Sequence, residues 1–318
     1  IERNAAALGY RQLVAVAKGE AELAIGPKAM AKLLNGRAIV DRIIASGERA
    51  YGISTGLGAL SEIILTGAQQ TALSRNTLMS HACGVGTPLS ITATRAIMTS
   101  LVNDLCHGNS GVSPAVVTQL VSLLNHKITP VVPSQGSVGY IVHGAHIGLA
   151  LIGLGDVMVG ERRMPAADAL AAAGLAPITL GAKDGLCLVN GTRCLTGLAC
   201  LALAEAEPLA DWADVTGALS FEALKGQIAA YDEALLALKP HPGIVHVGKR
   251  LRALLADSGM VAKHQGFRTQ DALSIRSIPQ IHGATRDQID HVRKQIETEL
   301  GSATDNPLVI GTPDNYRV

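Results

Sequence analysis

The pattern of apolar and polar positions along the chain indicates α-helices almost throughout. Apolar residues recur three and four positions apart in long windows, the spacing that places them on one face of a helix. No long window alternates apolar and polar residues as a half-buried strand does. The predicted helices are Thr92–Leu105, Val112–Leu124, Ala145–Val159, Leu195–Leu209, Ala213–Leu238, Gly248–Ala256 and Arg286–Leu300.

The predicted helices become longer after about residue 194. We therefore predict an all-α fold in which residues 1–193 form a smaller N-terminal part and residues 194–318 begin a long central helical bundle. Pro240 and Pro242 interrupt that bundle, and residues 259–283 are rich in loop signals. The chain stops at Val318 soon after a polar connection begins, so we expect the fold to continue beyond this residue.

The composition narrows the function classes. The chain has 27 Lys+Arg against 26 Asp+Glu and a net charge of +1, which argues against a large basic surface for nucleic acid. With 48% hydrophobic residues it can bury a sizeable core, and with only 3% aromatic residues that core suits closely packed helices. No export signal or apolar stretch of ~20 residues is visible, so we expect a soluble cytoplasmic protein without a membrane segment.

Neither disulfides nor a metal site is expected. The five cysteines form no C-x-x-C pair, and we predict that they are buried free thiols. His143 and His146 stand three residues apart near a predicted helix, but the spacing suggests no third or fourth ligand for zinc.

Several polar side chains are candidates for chemistry. Tyr51 lies on a loop with three glycines that can carry a phenol over a pocket, although an ordinary surface loop would look the same. His81 stands beside Cys83 and two glycines, and a lone histidine is more often a structural hydrogen-bonding group. No phosphate-binding loop, dinucleotide-binding glycine motif or nucleophile elbow is present. The polar residues in apolar surroundings, which need a partner in the protein or a ligand if buried, are Asn190, Gln270, Arg276 and Gln280.

Taken together, these segments resemble the histidine and phenylalanine ammonia-lyase family, and most of all its histidine-using members. The matching stretches follow the family's order from residue 51 to the end of the chain, which is far more specific than any single motif. They are YGISTGLG at 51–58, SHACGVG at 80–86, QGSVG at 135–139, GLCLVNGT at 185–192, PHPGI at 240–244, RTQDALSIRSIPQIHG at 268–283 and SATDNPLV at 302–309.

The resemblance implies a prosthetic group built from the backbone. In this family an Ala-Ser-Gly tripeptide that follows QGSVG cyclises into methylidene-imidazolone (MIO), an electrophile that no side chain offers. Gly139 and Tyr140 would flank this group, and Asn190 and Gln280 resemble the residues that hold its carbonyls and the ligand. The resemblance implies no metal.

The resemblance also assigns roles in catalysis. Tyr51 resembles the base that removes the Cβ proton, and Arg276 resembles the clamp that binds the substrate carboxylate. His81 lies at the position that determines substrate preference in the family, where it can hydrogen-bond an imidazole ring. Gln270 is a further site residue in the matching stretch.

The chain is three residues shorter than the family at the place of the group, because Gly139 directly precedes Tyr140. One explanation is that the tripeptide was lost and the protein is an inactive relative. The other is that the cyclised group is present as one modified residue, which a sequence of standard amino acids omits. We favour the second explanation. A three-residue deletion is not a whole helical turn of ~3.6 residues, so it would rotate the next helix, yet that helix keeps its apolar stripe.

The sequence also departs from the family at single positions. The family's Asp-Leu-Ala-Pro after the tripeptide is replaced by Tyr140-Ile141-Val142-His143. In the first loop, Ser54 stands for an Asn and Leu57 for a Phe. Further along the chain, Leu273 replaces a Tyr and Gly301 replaces an Asn.

The resemblance implies that the protein eliminates ammonia from L-histidine to give urocanate. It also implies a homotetramer in which several subunits supply one active site. Two alternatives remain open. The first is a lyase or aminomutase for another aromatic amino acid or a histidine betaine, and the second is a catalytically inactive homologue that serves as a binding scaffold.

Overall fold

Helices form most of the structure, a computed structural model that describes residues 1–318 apart from the side chain of Leu60. The prediction of an all-α fold is therefore confirmed. The helices are α1 (Tyr10–Lys18), α2 (Pro27–Ser46), α3 (Gly67–His81), α4 (Ile91–Leu105), α5 (Pro114–Asn125), α6 (Ile141–Leu151), α7 (Ala166–Ala172), α8 (Asp184–Val189), α9 (Arg193–Ala223), α10 (Glu233–Ala237), α11 (Pro242–Leu254), α12 (Gly259–Lys263), α13 (Leu273–Arg276) and α14 (Ile278–Leu300).

The strands are short and connect the helices. Strand β1 pairs with β2 in parallel, β3 pairs with β5 antiparallel, β4, β6 and β7 form one antiparallel sheet, and β8 and β9 form a hairpin. Their bounds are β1 (Glu2–Arg3), β2 (Ala24–Ile25), β3 (Val85–Pro88), β4 (Ile128–Pro130), β5 (Pro133–Gln135), β6 (Asp156–Val159), β7 (Arg162–Pro165), β8 (Ile310–Thr312) and β9 (Asn315–Arg317).

The predicted helix at Ala145–Val159 was wrong at its C-terminal end. Helix α6 stops at Leu151, and residues 156–159 form strand β6 instead. Gly153 and Gly155 have φ of 76° and 73°, a left-handed conformation that glycine adopts without strain and that ends a helix. The apolar residues that follow therefore continue as a strand, which pairs with β4 on one side and β7 on the other.

The prediction of two helices at Leu195–Leu209 and Ala213–Leu238 was also wrong. The structure has one helix, Arg193–Ala223, that continues through Pro208. A proline inside a helix removes one backbone hydrogen bond, and the exposed Pro208 is accommodated within this long helix at that cost. The helix ends near Lys225, which has φ of 56°, so residues 224–238 form a turn and two short helical segments.

The other helix predictions differ mainly at their ends. Helices α4 and α5 agree with the predicted ranges to within two residues. Helix α11 begins six residues earlier than predicted, with Pro242 in its first turn, where a proline costs no hydrogen bond. Helix α14 begins eight residues earlier than predicted, and the loop predicted over residues 259–283 holds the short helices α12 and α13.

The chain forms two compact units. Residues 1–201 and 296–318 make the first unit, and residues 202–295 make the second. The core of the first unit surrounds α4, of which residues 94–105 are all buried. The core of the second unit is smaller and centres on Phe221 and Tyr231, whose ring centroids are 5.0 Å apart. The division predicted from the sequence, 1–193 and 194–318, stays a prediction.

Residues 184–223 contain an 18-residue window that is long and apolar enough to cross a membrane by composition. The sequence analysis had found no such stretch. However, 56% of that window is buried within the protein, and the segment holds Arg193 and Asp214, whose side chains are 1% and 0% exposed. Buried charges that pair inside the protein are expected of a core helix.

Three helices of the first unit pack together through glycines. A β-carbon at Gly144 of α6 would overlap the Leu188 carbonyl of α8, and one at Gly185 of α8 would overlap the Ser74 carbonyl of α3. A β-carbon at Gly148 of α6 would stand 2.7 Å from Leu78 of α3. The missing side chains therefore let α3, α6 and α8 approach closely, and the ends of these helices carry the candidate site.

Candidate functional site

The ends of α3, α6 and α8 bring three of the predicted site segments into one region of the first unit. His81 is the last residue of α3, Tyr140 precedes the first turn of α6, and Asn190 follows the last turn of α8. The glycine contacts join the C-terminal parts of α3 and α8 to α6, so these ends lie on the same side of the cluster.

A short ladder fixes the two glycine-rich loops side by side. Strand β3 begins at the end of the SHACGVG stretch and continues two residues beyond it, and strand β5 ends at the first residue of QGSVG. The two strands pair antiparallel, with Val85 opposite Gln135. A β-carbon at Gly136 would be in van der Waals contact with Gly84, 3.6 Å from its Cα. The loop after His81 and the loop before Tyr140 are therefore in direct contact.

The loop that carries Tyr51 is held by its own polar side chains. Ser54, which is 2% exposed, donates from Oγ to the Glu48 carbonyl at 2.6 Å and accepts from the Ala50 N–H at 2.9 Å. Gly52 has φ of 64°, and a β-carbon there would overlap Leu186 of α8. The loop is thus packed onto the helix that leads to Asn190, while the Tyr51 side chain is 42% exposed.

His81 is held in one tautomer by its own helix. Its Nδ1 lies 2.8 Å from the Thr77 carbonyl and 3.0 Å from Ser80 Oγ. Because a carbonyl only accepts, Nδ1 carries the proton, and Nε2 of the neutral ring is left as an acceptor. His81 thus makes a structural hydrogen bond, and its backbone partner is the Thr77 carbonyl.

Asn190 is positioned by a buried arginine that the sequence analysis missed. Arg193 Nη1 donates to the carbonyls of Cys187 and Asn190, which closes the end of α8. Its Nε donates to Asp104 Oδ2 at 2.7 Å, and both side chains are at most 6% exposed. The Asn190 amide in turn donates to the Asn306 carbonyl at 2.7 Å. The signal in the sequence was a charged residue directly after Asn190-Gly191-Thr192 in an apolar run.

A second buried ion pair ties the SATDNP stretch to the start of α8. Lys183 Nζ donates to Asp305 Oδ2 at 2.9 Å and to the Ser110 carbonyl at 2.6 Å, and neither charged side chain is exposed. Burial alone would raise the pKa of Asp305, but the charges of Lys183 and Arg193 outweigh burial and hold that pKa below its ordinary value. For Lys183, burial opposes the charge while Cys187 and Asp305 favour it, and the pKa is raised overall.

The junction between Gly139 and Tyr140 is the place where the resemblance puts the prosthetic group. The Tyr140 ring is 2% exposed and lies 5.8 Å from the Arg193 guanidinium carbon. Neither the Tyr140 hydroxyl nor Arg193 Nη2 has a hydrogen-bond partner in the part of the chain that the structure describes. Burial raises the pKa of Tyr140, so its hydroxyl stays protonated. Two buried donors without acceptors are costly, and they fit a neighbouring group that offers carbonyl oxygens.

The residues that would form the group are not at this junction. The printed sequence contains Ala-Ser-Gly only at residues 45–47, where it ends helix α2. There Ser46 Oγ donates to the Ile43 carbonyl and Gly47 has φ of 71°, which is an ordinary helix cap. The surroundings of the junction thus fit the group, whereas its tripeptide precursor is absent from the printed sequence.

The remaining predicted residues line a cavity of the second unit. Gln270, Arg276 and Gln280 border a space of about 340 Å³ together with apolar residues such as Ala230 and Leu235. The buried atoms Arg276 Nε and Gln280 Oε1 lack hydrogen-bond partners among the described residues. A guanidinium N–H without an acceptor beside an open space is suited to bind a carboxylate.

The departures from the family have visible structural roles at two positions. Ser54 closes the Tyr51 loop by the hydrogen bonds described above, and Leu57 packs against the main core of the first unit. Leu273 is 66% exposed on α13, and the structure gives no reason for its identity.

No metal site was found among the described residues, since no three histidine, cysteine or acidic side chains cluster there. All five cysteines are free thiols. Four are buried as predicted, but Cys83, which lies in the loop after α3, is exposed.

Comparisons with known proteins agree with this arrangement. A family model described as aromatic amino acid lyase matches residues 8–318. Histidine ammonia-lyase of Koribacter versatilis is 44% identical over 281 residues, which are 87% of this chain and 54% of that protein. This chain therefore spans little more than half the length of that curated relative.

Solved structures show the same fold. Histidine ammonia-lyase of Trypanosoma cruzi has a TM-score of 0.89 at 34% identity, covering 99% of this chain and 59% of that one. Phenylalanine aminomutase of Pantoea agglomerans has a TM-score of 0.92 at 27% identity, covering 100% of this chain and 65% of that one.

Replacing Asp305 tests the buried ion pair beside the site. We expect Asp305→Asn to lower the free energy of unfolding by about 3–5 kcal/mol, because it leaves Lys183 charged and unpaired in the core. Asp41→Asn is the control, since Asp41 pairs with Arg37 at the surface, and it should cost less than about 1 kcal/mol. Urea unfolding monitored by circular dichroism measures both.

The same pair predicts a pH dependence. A carboxyl whose folded pKa is lowered stabilises the protein above its unfolded pKa of about 3.9, and the stabilisation is lost as the pH falls through the folded pKa. The difference in the free energy of unfolding between wild type and Asp305→Asn should therefore become smaller below about pH 4. A difference that stays constant with pH, or an Asp305→Asn cost equal to that of Asp41→Asn, contradicts this account.

Proposed function

The chain belongs to the aromatic amino acid lyase family, and from this premise we propose that it is part of an ammonia-lyase that releases ammonia from L-histidine and yields urocanate. The observation that carries the proposal is that His81, the Gly139–Tyr140 junction and Asn190 stand at the ends of three helices that pack together through glycines. The alternatives, a lyase or aminomutase for another amino acid and an inactive binding protein, are separate outcomes of the experiments below.

The state of His81 supports histidine as the substrate. Its Nε2 is an acceptor, and a neutral imidazole ring in the substrate offers an N–H that this nitrogen can bind. A phenyl ring has no such donor, so it would leave His81 without a partner in the closed site. Sites built to hydrogen-bond a substrate reject analogues that lack the bonding group by as much as ~10⁴-fold.

The proposal gives the other residues separate tasks. Tyr51 accepts the Cβ proton, and the glycines of its loop allow the phenol to approach the substrate. Arg276 binds the substrate carboxylate, supported by its unpaired Nε, and Gln280 and Gln270 bind polar atoms in the same cavity. Each of these groups binds, orients or moves a proton, and none of them is an electrophile.

The electrophile in this proposal is an Ala-Ser-Gly that is cyclised to MIO between Gly139 and Tyr140. When bound, MIO supplies the electron-poor alkene that makes an amino group a better leaving group. Asn190 would hold it, and the unpaired hydroxyl of Tyr140 and Nη2 of Arg193 support the presence of acceptors beside the junction. The proposal also includes a cytoplasmic location and the division into an N-terminal part, residues 1–193, and a long-helix part from residue 194.

A homotetramer with shared active sites completes the proposal. Leu209, Trp212 and Leu219 form an apolar stripe on α9 and are 70%, 66% and 61% exposed. Their spacings of three and seven residues match a helix seam that packs against another helix. An apolar stripe of this kind is usually covered by a partner, and a second copy of the chain is the partner that the family suggests.

Kinetics with two amino acids test the proposed function. We expect the full-length protein to release ammonia from L-histidine with a kcat/KM far above that for L-phenylalanine, followed by product absorbance. Tyr51→Phe should lower kcat by about 10²–10⁴-fold because the proton acceptor is lost, with an unchanged circular dichroism spectrum. Similar kcat/KM values for both amino acids would overturn the choice of substrate, and binding without any turnover would favour the inactive scaffold.

Light scattering tests the tetramer. We expect a mass four times that of one chain, and we expect Trp212→Glu to lower it because a charge in the seam is costly to bury. Leu238→Glu is the control, since Leu238 is 82% exposed outside the stripe, and it should leave the mass unchanged. A monomeric wild type, or equal effects of the two substitutions, argues against the α9 interface.

A further inference from the structure

The backbone of the loop after α3 lies directly on one face of α6. The N–H of Gly84 donates to His146 Nε2 at 3.3 Å across 62 residues of sequence. A β-carbon at Gly84 would stand 3.0 Å from Val142 Cγ1 and 3.1 Å from His146 Nε2. Val142 and His146 are four residues apart on α6 and therefore share a face. A larger residue at position 84 would therefore require these neighbouring side chains to shift by a few tenths of an ångström.

The bond defines the state of His146. Because the Gly84 N–H donates, Nε2 is unprotonated and the ring carries its proton on Nδ1. Burial, with a smaller contribution from His143, lowers the pKa of His146 below its ordinary value, so the ring remains a neutral acceptor near neutral pH.

The location of the bond connects two parts of the candidate site. On one side, Gly84 lies three residues after His81, which is anchored to the end of α3. On the other side, His146 lies six residues after Tyr140, within the first two turns of α6. The β3–β5 ladder holds the outer part of the same loop, so the His146 bond fixes the part nearest to His81.

From these contacts we propose that His146 is a positioning residue: its Nε2 holds the Gly84 backbone against α6 and thereby sets the place of His81 relative to the Gly139–Tyr140 junction. This inference rests on the proposed function, because His81 matters for catalysis only if substrate binds there. His146 itself touches no substrate. A misplacement of about 1 Å by a residue away from the chemistry can cost about 10²-fold in rate.

Three variants of the full-length protein separate positioning from simple stability. His146→Leu removes the acceptor, and His146→Gln keeps an acceptor oxygen that can reach the Gly84 N–H. His126→Leu is the control, because His126 is an exposed histidine that bonds only to Ser122 on its own helix. Each is assayed for kcat and KM with L-histidine and L-phenylalanine and for amide hydrogen exchange across residues 82–88.

We expect His146→Leu to lower kcat for L-histidine by about 10–10²-fold and to weaken the preference over L-phenylalanine. Exchange of the Gly84 amide should become faster, since its hydrogen bond is gone. His146→Gln should restore both properties, and His126→Leu should change neither. Unchanged Gly84 exchange in His146→Leu would overturn the proposal, as would a loss of activity that the glutamine variant does not rescue.

The two proposals fail in different ways. A wild type without activity on any amino acid contradicts the proposed function, and the exchange data then decide alone whether His146 holds the loop. If His146→Leu exchanges faster at Gly84 yet keeps wild-type kcat and substrate preference, His146 anchors the loop without positioning the site, and the inference is wrong.

Discussion

The charge of Arg193, buried among four segments of the first unit, is the constraint on which the candidate site depends. Arg193 donates to Asp104 of α4 and to the two carbonyls at the end of α8. Asp104 also accepts from Thr304, so the stretch that contains Asp305 and Asn306 is joined to the same pair. Removing one partner of such a pair leaves an uncompensated charge in the core, which is why these segments must fold in one arrangement.

This arrangement places Asn190 and Tyr140 with little freedom. The Asn190 carbonyl accepts a hydrogen bond from Arg193, and the Asn190 side-chain amide donates one to the Asn306 carbonyl. The Tyr140 ring centroid lies 5.8 Å from the guanidinium carbon of Arg193, and the glycines of α6 and α8 let these helices approach closely. Rigid support of this kind is what a site needs when its groups must be oriented before substrate arrives.

The sequence predicted the helices well where one apolar face determines them and poorly where backbone geometry does. Helices α4 and α5 follow their apolar spacing, whereas the end of α6 depends on the left-handed Gly153 and Gly155. The sequence indicated Tyr51 and His81 because they stand beside glycines, and Asn190 because it is a polar residue in apolar surroundings. The motifs did not indicate Arg193, Lys183 or His146, whose partners are 62 to 122 residues away in the chain.

We have proposed that an electrophile made from three further residues stands between Gly139 and Tyr140, beside the buried Tyr140 hydroxyl and Arg193 Nη2, which lack acceptors among the described residues. The most direct test of this proposal is the mass of the tryptic peptide that runs from Ile128 to Arg162 in the full-length protein. We expect the mass of residues 128–162 plus the three residues Ala, Ser and Gly, less the two waters that cyclisation removes. A mass equal to that of the printed sequence, with Gly139 joined directly to Tyr140, would contradict the proposal.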